Sequence, residues 1–394
     1  MNLDDILAPL GAEAFLRDYL GRQPLHLQGT PAKFQEVMSW DVLNRLLGMS
    51  TVWSAQSMVL VLDKEVIQPG AFCQPAPGRD GGTVLRPDGA KVKQLLARGA
   101  TLVLNDIDQL TAELSAVARS LEEALGGKVQ ANLYMSSKRK QAFKAHFDYH
   151  DVFAMHVMGE KTWMVFEGVA DHPIKHPMFE SWTQEQHEAA KGAPWREVRL
   201  RPGDLLYLPR GQYHYALADD GACAHIAFGL TYPIGMDAVS YGFERMVAES
   251  IGRANLPRDR AALKQRLGEI GQALASILSD ERALGDVERF MQGFGWPRET
   301  FDLPGLIEGA DERFRVKGAG LRLVSQGGRH GLVKEGSRQA VEVPAAIQPH
   351  LAWVLGRERF ARAELLKAFP GETPAKLDKL LVDLGRMAVI EPAA

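Results

Sequence analysis

Apolar positions divide the chain into helical and strand-like stretches. In its first third, helical spacing recurs over residues 15–20, 40–47, 91–98 and 109–126. Thr111 is placed to cap the last of these helices, and Gly126 is placed to end it. Residues 52–66 favour β-strands, and the Pro- and Gly-rich stretch after them predicts a long loop through Pro87. The first 128 residues therefore predict a mixture of helices and strands.

The pattern over residues 129–233 is almost wholly that of β-strands. Short apolar runs at 152–158, 162–166, 205–208 and 225–231 are separated by turn residues. Several short strands at close spacing predict a sandwich or barrel rather than alternating strands and helices. A polar insertion at 171–193 interrupts these strands, and its pattern indicates no particular element.

Beyond residue 235 the pattern is helical and then mixed. Residues 236–295 predict helices with one apolar stripe, formed by Leu263, Leu267, Ile270, Leu274, Ile277 and Leu278. Near the C-terminus, a helix that begins at Thr373 and Pro374 precedes a short strand at 387–390, an order typical of a winged helix. We expect four parts with boundaries at 1–128, 129–235, 236–298 and 299–394.

Composition narrows the functional classes. The chain of 394 residues is 46% hydrophobic and 24% charged, as expected of a globular protein with a sizeable core. Its formal net charge of −3 argues against a protein that coats nucleic acid or an anionic membrane. Its two cysteines, Cys73 and Cys223, exclude a disulfide framework and a CxxC zinc site. Because no signal peptide or membrane span is evident, we expect a cytoplasmic protein.

Histidines concentrate in the β-rich part, where eight of the 11 lie between residues 146 and 225. His146 and Asp148 stand two residues apart, so on a strand both project from the same face while Phe147 packs on the other. A jelly roll returns its strands to one barrel mouth, and His214 follows a strand and a proline turn that can bring it there. Two imidazoles and one carboxylate form the facial triad of non-haem Fe(II) oxygenases.

Lys161 has two interpretations. It follows the strand-like run 152–158 and the turn at Gly159-Glu160, and we expect these to form a hairpin. Lys161 is then either a solvated turn residue beside Glu160 or a cation inside the barrel. A buried cation needs an anionic partner, because an unpaired buried charge is very costly. A dicarboxylate that binds a metal at one end satisfies that need at the other.

Three stretches in combination resemble one known family, the JmjC-type 2-oxoglutarate oxygenases, and within it the ribosomal-oxygenase branch. Residues 131–168 (ANLYMSSKRKQAFKAHFDYHDVFAMHVMGEKTWMVFEG) resemble its central signature. Residues 202–216 (PGDLLYLPRGQYHYA) resemble its distal-histidine strand, and residues 15–29 (FLRDYLGRQPLHLQG) resemble its N-terminal segment. The order of a JmjC barrel, a helical region and a winged helix also matches the whole chain.

The resemblance implies a mixed α+β fold with a double-stranded β-helix (jelly-roll, cupin-like) core. In this core His146, Asp148 and His214 would hold Fe(II), and Lys161 would bind the distal carboxylate of the cosubstrate 2-oxoglutarate. The implied activity is hydroxylation by O₂ of an Arg or His side chain in a ribosomal protein. A lysine at position 161 is more similar to the histidine-hydroxylating members.

The resemblance also implies roles for residues outside this set. Asn132 and Tyr134 match positions that line the cosubstrate pocket, although both are equally compatible with satisfied core polar groups. The helices of residues 236–298 would form a homodimer, and residues 299–394 would form a winged-helix-like domain. No membrane partner and no direct contact with nucleic acid are expected.

Departures from the family pattern mark further candidates on the substrate side. His156 stands where relatives usually have glutamine, and it either touches substrate or is a core histidine. His150, where relatives vary, is expected near the metal without binding it. The approach loop carries a basic run that includes Lys138 and Arg139. This run is either a solvated face or a surface that selects an acidic partner, which weakens the case for a ribosomal substrate.

Other functions compete with this interpretation. The chain can be an oxygenase of a non-ribosomal peptide or of a small molecule. It can also be a catalytically silent, metal-binding cupin that acts through its winged helix, or a zinc-dependent cupin isomerase. A silent cupin would lack one ligand or the cosubstrate lysine, and a cupin isomerase usually has more His or Glu ligands. Neither pattern occurs in this sequence.

Overall fold

The computed structural model describes residues 1–78, 81–137, 143–219, 221–298, 312–317, 320–326, 329–334 and 340–393. The chain folds as two compact units, Met1–Arg298 and Glu299–Ala394. The first unit contains a large and a small antiparallel sheet with helices against the large one. The predicted mixed α+β architecture is therefore confirmed.

The N-terminal part alternates short helices and strands. Its elements are α1 (Leu3–Leu7), α2 (Ala12–Asp18), β1 (Leu25–Leu27), α3 (Trp40–Gly48), β2 (Met58–Leu62), β3 (Glu65–Val66), β4 (Cys73–Pro77), β5 (Thr83–Pro87), α4 (Gly89–Ala97), β6 (Thr101–Leu104) and α5 (Ala112–Leu125). The Thr111 side chain accepts a hydrogen bond from the backbone N–H of Leu114, and Gly126 ends α5 at a φ of 70°. Both predicted ends of α5 are confirmed. The predicted loop before Pro87 is wrong in part, because β4 and β5 pair as an antiparallel hairpin.

The barrel strands follow α5 along the chain. They are β7 (Lys128–Ser136), β8 (Asp151–Met158), β9 (Lys161–Val169), β10 (Pro194–Leu200), β11 (Leu205–Leu208), β12 (Gln212–Ala218) and β13 (Cys223–Thr231). The large sheet has the order β1-β11-β8-β13-β7-β6-β2-β3, and the small sheet has the order β10-β9-β12. Every ladder in both sheets is antiparallel.

The large sheet separates two apolar cores. Phe153 and Met155 on one face of β8 belong to the core that includes residues of α5. Val152 and Ala154 on the other face pack with Trp163 of the small sheet. Because successive side chains of a strand point to opposite faces, both faces of β8 are covered and all of its residues are buried. The space between the two sheets is the interior of the barrel.

Two tight turns direct strands around the barrel. Gly203, before β11, has a φ of 95°, and a Cβ there would lie 1.9 Å from the carbonyl oxygen of Thr30. Gly159, between β8 and β9, has a φ of 66°, and a Cβ there would lie 2.2 Å from the carbonyl oxygen of Ala222. Only glycine fits either position. The predicted hairpin of β8 and β9 is wrong, because Gly159 carries the chain from the large sheet to the small one.

The insertion that the sequence left without an element contains two short helices, α6 (Pro177–Glu180) and α7 (Gln184–Ala190). After the barrel come α8 (Gly235–Met246), α9 (Ser250–Arg253), α10 (Arg260–Leu278) and α11 (Glu281–Gln292). Helix α10 contacts α8, where a Cβ on Gly242 would lie 2.7 Å from Leu274 Cδ1. No residue of α10 is fully buried: in its predicted apolar stripe Leu267 and Leu278 are exposed, and the other four side chains are half-buried.

The second unit has its own apolar core. Its described elements are β14 (Arg313–Val316), β15 (Leu321–Gln326), β16 (Arg329–Lys334), β17 (Ala340–Val343), α12 (Gln348–Leu355), β18 (Arg359–Ala361), α13 (Arg362–Ala368), α14 (Pro374–Arg386) and β19 (Ile390–Pro392). Helix α14 begins with Pro374 after Thr373, as predicted. The last strand begins at Ile390 rather than at Met387, because Met387 still caps the preceding helix.

Candidate functional site

Two imidazoles and one carboxylate converge at one end of the barrel. His146 and His214 lie opposite each other in an antiparallel bridge, with backbone N–H···O distances of 3.1 and 2.9 Å. Ligand atoms of His146, Asp148 and His214 all lie within 4.8 Å of one another. Asp148 Oδ2 is 3.7 Å from His214 Nε2. Backbone pairing thus brings together side chains that are far apart in the sequence.

Hydrogen bonds on their other nitrogen orient both imidazoles. His146 Nδ1 is 2.8 Å from the Lys144 carbonyl oxygen, and His214 Nδ1 is 3.0 Å from the Gln212 carbonyl oxygen. A carbonyl oxygen only accepts, so each Nδ1 carries the proton. Each Nε2 then presents a lone pair, the usual arrangement of a metal-binding histidine.

The protonation states suit metal binding. Burial, followed by the neighbouring His146 imidazole, lowers the pKa of His214 to about 4. Burial disfavours ionisation of Asp148, but the neighbouring imidazoles, with His214 first, outweigh it and hold the pKa of Asp148 below its usual range. At neutral pH the site therefore offers a neutral imidazole and an ionised carboxylate.

Lys161 lies inside the barrel rather than in a solvated turn, because it is only 4% exposed. Lys161 of β9 pairs with Ala218 of β12, and Val165 of β9 pairs with His214 of β12. Four residues of strand therefore separate Lys161 from the histidine, about 13 Å at roughly 3.3 Å per residue. Burial lowers the pKa of Lys161, and the opposing influence comes from the Cys223 thiol rather than from a described carboxylate.

Unpartnered polar atoms surround this lysine. His156 Nδ1, Trp163 Nε1 and His225 Nδ1 are buried without a hydrogen-bond partner in the described part of the chain. The rings of Trp163 and His225 lie 5.2 Å apart, and Trp163 also stacks on His214 at 5.5 Å. Because buried polar atoms are nearly always hydrogen-bonded in proteins, this group indicates a site for a polar ligand between the histidine and Lys161.

Asn132 and Tyr134 lie on β7 beside this interior. Tyr134 pairs with His225 across the strands and stacks on its ring at 5.0 Å with an interplanar angle of 6°. Burial, followed by the charge of Asp148, raises the pKa of Tyr134 to about 12. Asn132 Oδ1 accepts a hydrogen bond from the backbone N–H of Asp106 at 3.1 Å. Of these two residues, Tyr134 therefore contacts the polar interior of the barrel, and it does so through its ring.

The other candidate residues are placed as follows. His156 is fully buried on β8, where its Nε2 donates to the Gly159 carbonyl oxygen at 2.9 Å. His150 lies against Gly229, where a Cβ would be 2.7 Å from its ring, and it is outside the triad. Lys138 and Arg139 fall outside the described residues.

Trp163 and His225 were missed by the sequence reasoning. Trp163 stands two residues after Lys161 on a predicted strand, so it shares the face of that lysine. His225 is one of the clustered histidines and begins a predicted strand. Both signals were present, but the packing of the small sheet on the large one was needed to show that these two rings meet.

Comparison with known proteins finds a matching domain model and similar sequences. Residues 106–237 match the model of the JmjC domain, a span that includes the triad and Lys161. The chain is 24% identical over 231 residues to the "Bifunctional lysine-specific demethylase and histidyl-hydroxylase NO66" of Drosophila persimilis, covering 57% of this chain and 31% of that protein. It is 26% identical over 303 residues to "Ribosomal oxygenase 2" of Bos taurus, covering 71% of this chain and 61% of that protein. The chain thus spans less than two thirds of either relative.

A solved structure shares the fold. The ribosomal oxygenase YcfD of Escherichia coli, in complex with cobalt and 2-oxoglutarate, matches with a TM-score of 0.51 and 18% identity, covering 97% of this chain and 98% of that one. Among the described residues of the present chain, no helix is long and apolar enough to cross a membrane.

Proposed function

We propose that this chain, whose residues 106–237 are a JmjC domain, is an Fe(II)- and 2-oxoglutarate-dependent dioxygenase that hydroxylates a side chain of a polypeptide. The observation that carries the proposal is the triad of His146, Asp148 and His214, whose ligand atoms lie within 4.8 Å of one another. The buried Lys161 further along the same barrel supports a carboxylate cosubstrate.

The donor set suits ferrous iron. His146, Asp148 and His214 would hold it through two Nε2 atoms and one carboxylate oxygen, and their approach from one side leaves coordination positions for other ligands. A structural zinc site usually has four protein ligands, and in the described chain the cluster has three. The E. coli relative binds cobalt together with 2-oxoglutarate, which is consistent with this assignment.

The interior beyond the triad suits 2-oxoglutarate. Lys161 would pair with the distal carboxylate, which removes the cost of an unpaired buried ammonium. The indole N–H of Trp163 is a donor only, so its missing partner must be an acceptor such as a carboxylate oxygen. Tyr134 would line this pocket, because it stacks on His225. Asn132, two residues before Tyr134 on β7, would line the same wall of the pocket.

With iron, 2-oxoglutarate and O₂ bound, such a site converts 2-oxoglutarate to succinate and CO₂ and inserts one oxygen atom into a C–H bond. The protein residues supply geometry and shielding for this chemistry. The carbonyl oxygens of Lys144 and Gln212 hold the imidazole rings in place. The apolar side chains between the sheets would exclude water around the cosubstrate. No residue of the chain needs to act as a general base.

The proposed substrate is an Arg or His side chain of a ribosomal protein. The names of the similar proteins support a histidyl side chain in one case and a ribosomal target in the other. We further propose that residues 236–298 form a homodimer interface. The supporting observation is the set of exposed apolar side chains on these helices, which includes Met236, Val239, Phe243, Leu267, Leu284, Phe290 and Met291. Residues 299–394 are proposed to be a winged-helix-like domain that docks protein rather than nucleic acid, and the whole chain is proposed to act in the cytoplasm.

Anaerobic titration tests the proposal directly. Protein loaded with Fe(II) should develop a weak visible charge-transfer band when 2-oxoglutarate is added, and His214→Ala should lose it. His172→Ala is the matched control, because His172 lies in the same part of the chain with a side chain that is 82% exposed. If iron does not improve 2-oxoglutarate binding by the wild-type protein, the oxygenase proposal fails.

The substrate needs a separate experiment. Ribosomal proteins and total peptides from cells with and without this gene should be compared by mass spectrometry for the added mass of one oxygen atom. An oxidised Arg or His that disappears with the gene would identify the target. Oxidation confined to other peptides would overturn the ribosomal assignment without affecting the oxygenase chemistry.

A further inference from the structure

The insertion between β9 and β10 packs against the outer side of both ligand-bearing segments. The ligands His146 and Asp148 project towards each other, so Phe147 between them faces outwards, where it is 6% exposed. Next to His214 on β12, Tyr213 also faces this side and is 1% exposed. Phe147 and Tyr213 meet edge to face at 5.2 Å. One aromatic cluster therefore contains side chains that are adjacent in the chain to all three ligands.

Helix α7 and the turn between α6 and α7 supply the rest of this cluster. Trp182 lies 5.9 Å from the Phe147 ring at an interplanar angle of 88°, and its Nε1 donates to the Met178 carbonyl oxygen. His187 lies 5.4 Å from Phe147, and its Nδ1 is 3.2 Å from the Tyr213 hydroxyl. Gln184 Nε2 donates to the Ala145 carbonyl oxygen at 3.2 Å. This last bond is made one residue before His146.

The insertion does little else in the structure. None of the residues in α6 or α7 is fully buried, and most of their side chains are exposed. Gln184 and His187 of α7 are half-buried, as is Trp182 between the two helices, and these three side chains reach the ligand segments. The principal core of the barrel contains no residue of the insertion. Its contacts are thus concentrated where the ligands are held.

We propose that residues 177–190 are a positioning element for the metal centre. Trp182, Gln184 and His187 hold the strand segments of His146, Asp148 and His214 at the separation that one metal ion requires. The proposal rests on the proposed function only in taking these three residues as metal ligands. Its physical basis is that ligand geometry must be held to within about 0.5 Å, which needs packing behind the ligands as well as the ligands themselves. Edge-to-face aromatic pairs of this kind add stability beyond the area that they bury.

Cobalt(II) binding to the full chain tests the proposal. Trp182→Ala and Gln184→Ala should each weaken cobalt affinity, measured by calorimetry, by about tenfold, the lower end of the 10–100-fold effect of losing support behind metal ligands. The visible spectrum of bound cobalt should change as well, because the coordination geometry is loosened. Trp182→Phe keeps an aromatic ring at the contact and should restore most of the affinity.

Controls separate positioning from general stability. Trp195→Ala removes a tryptophan of β10 that is 46% exposed and outside the cluster, and cobalt binding should be unchanged. If Trp182→Ala and Gln184→Ala bind cobalt with the affinity and spectrum of the wild type, this inference is overturned and the proposed function stands. If wild-type protein binds no cobalt, the metal site itself is wrong, and both proposals fail.

Discussion

The two ends of the barrel interior are built differently. At the end with His146 and His214, each Nδ1 donates to a backbone carbonyl, and only the Nε2 atoms are left for a ligand. Around Lys161, by contrast, Trp163 Nε1 and His225 Nδ1 lack partners within the described chain although they are buried. The first region is already organised for a small ion, whereas the second contains polar groups that only a larger polar ligand can satisfy.

This difference explains why the two regions should respond differently to substitution. A buried polar atom without a partner costs about 1–3 kcal/mol, which binding of a suitable ligand can return. The unpartnered polar atoms near Lys161 therefore lower the stability of the empty protein and raise its affinity for a polar ligand. The triad end loses less stability, because both of its imidazole rings are hydrogen-bonded through Nδ1 before any metal arrives. Four substitutions separate these behaviours.

Asp148→Ala should abolish cobalt or iron binding. Asp148 is the only anionic group of the triad, and loss of a metal's one charged ligand cannot be compensated by two neutral imidazoles. Calorimetry with cobalt(II) measures the effect. Asp171→Ala is the matched control, since the Asp171 side chain is 97% exposed. Wild-type affinity in Asp148→Ala would remove Asp148 from the triad.

Lys161→Ala should weaken 2-oxoglutarate binding to the metal-loaded protein by about 10–100-fold, as expected when a hydrogen bond to a charged group worth about 1.5–3 kcal/mol is lost. Metal affinity should be unchanged, because Lys161 lies at the other end of the interior. Lys144→Ala, which alters an exposed lysine beside His146, serves as the control. Unaltered 2-oxoglutarate affinity in Lys161→Ala would exclude Lys161 from the cosubstrate site.

Lys161→Met should stabilise the empty protein. The substitution keeps a long side chain and removes an ammonium that is buried without a described carboxylate, so the free energy of unfolding should rise by about 1–3 kcal/mol. With cobalt and 2-oxoglutarate present the order should reverse, because only the wild type gains stability from the cosubstrate. Chemical denaturation with and without the ligands measures both effects. A less stable empty Lys161→Met protein would show that Lys161 is already satisfied.

His225→Leu should weaken 2-oxoglutarate binding by a few fold, since one neutral hydrogen bond contributes about 0.5–1.5 kcal/mol. His225→Asn is the matched variant, because its amide can occupy the position of the Nδ1 atom and form a hydrogen bond. Cobalt affinity should be the same in both variants. Equal 2-oxoglutarate affinities of the Leu and Asn variants would make His225 a packing residue.

Much of the fold follows from local pattern. The N-cap at Thr111 and the left-handed Gly126 were predicted because both depend on backbone groups within one turn of the helix. The sequence did not predict that β8 pairs only with strands of the large sheet, because a run of apolar residues cannot show which strand it will pair with. The same limit explains why the hairpin of β8 and β9 was predicted wrongly.

The candidate site, too, was predicted from local pattern only in part. The i, i+2 spacing of His146 and Asp148 predicts a shared face from strand geometry alone. The bridge between His146 and His214 depends on the register of a distant strand, so the structure was needed to bring their ligand atoms together. The aromatic cluster behind them was invisible in the pattern, because residues 171–193 show no periodicity.

Local stretches of sequence predict the helix ends, the β-rich barrel and the residue types that can bind iron and a dicarboxylate, because these depend on neighbours a few positions apart. The tertiary structure was needed to show that Lys161 is buried, that Trp163 and His225 meet beside it, and that the insertion packs behind the triad. Those facts depend on which strands pair and in what register. Pairing and register are set by the packing of two sheets together, and no short stretch of sequence contains that information.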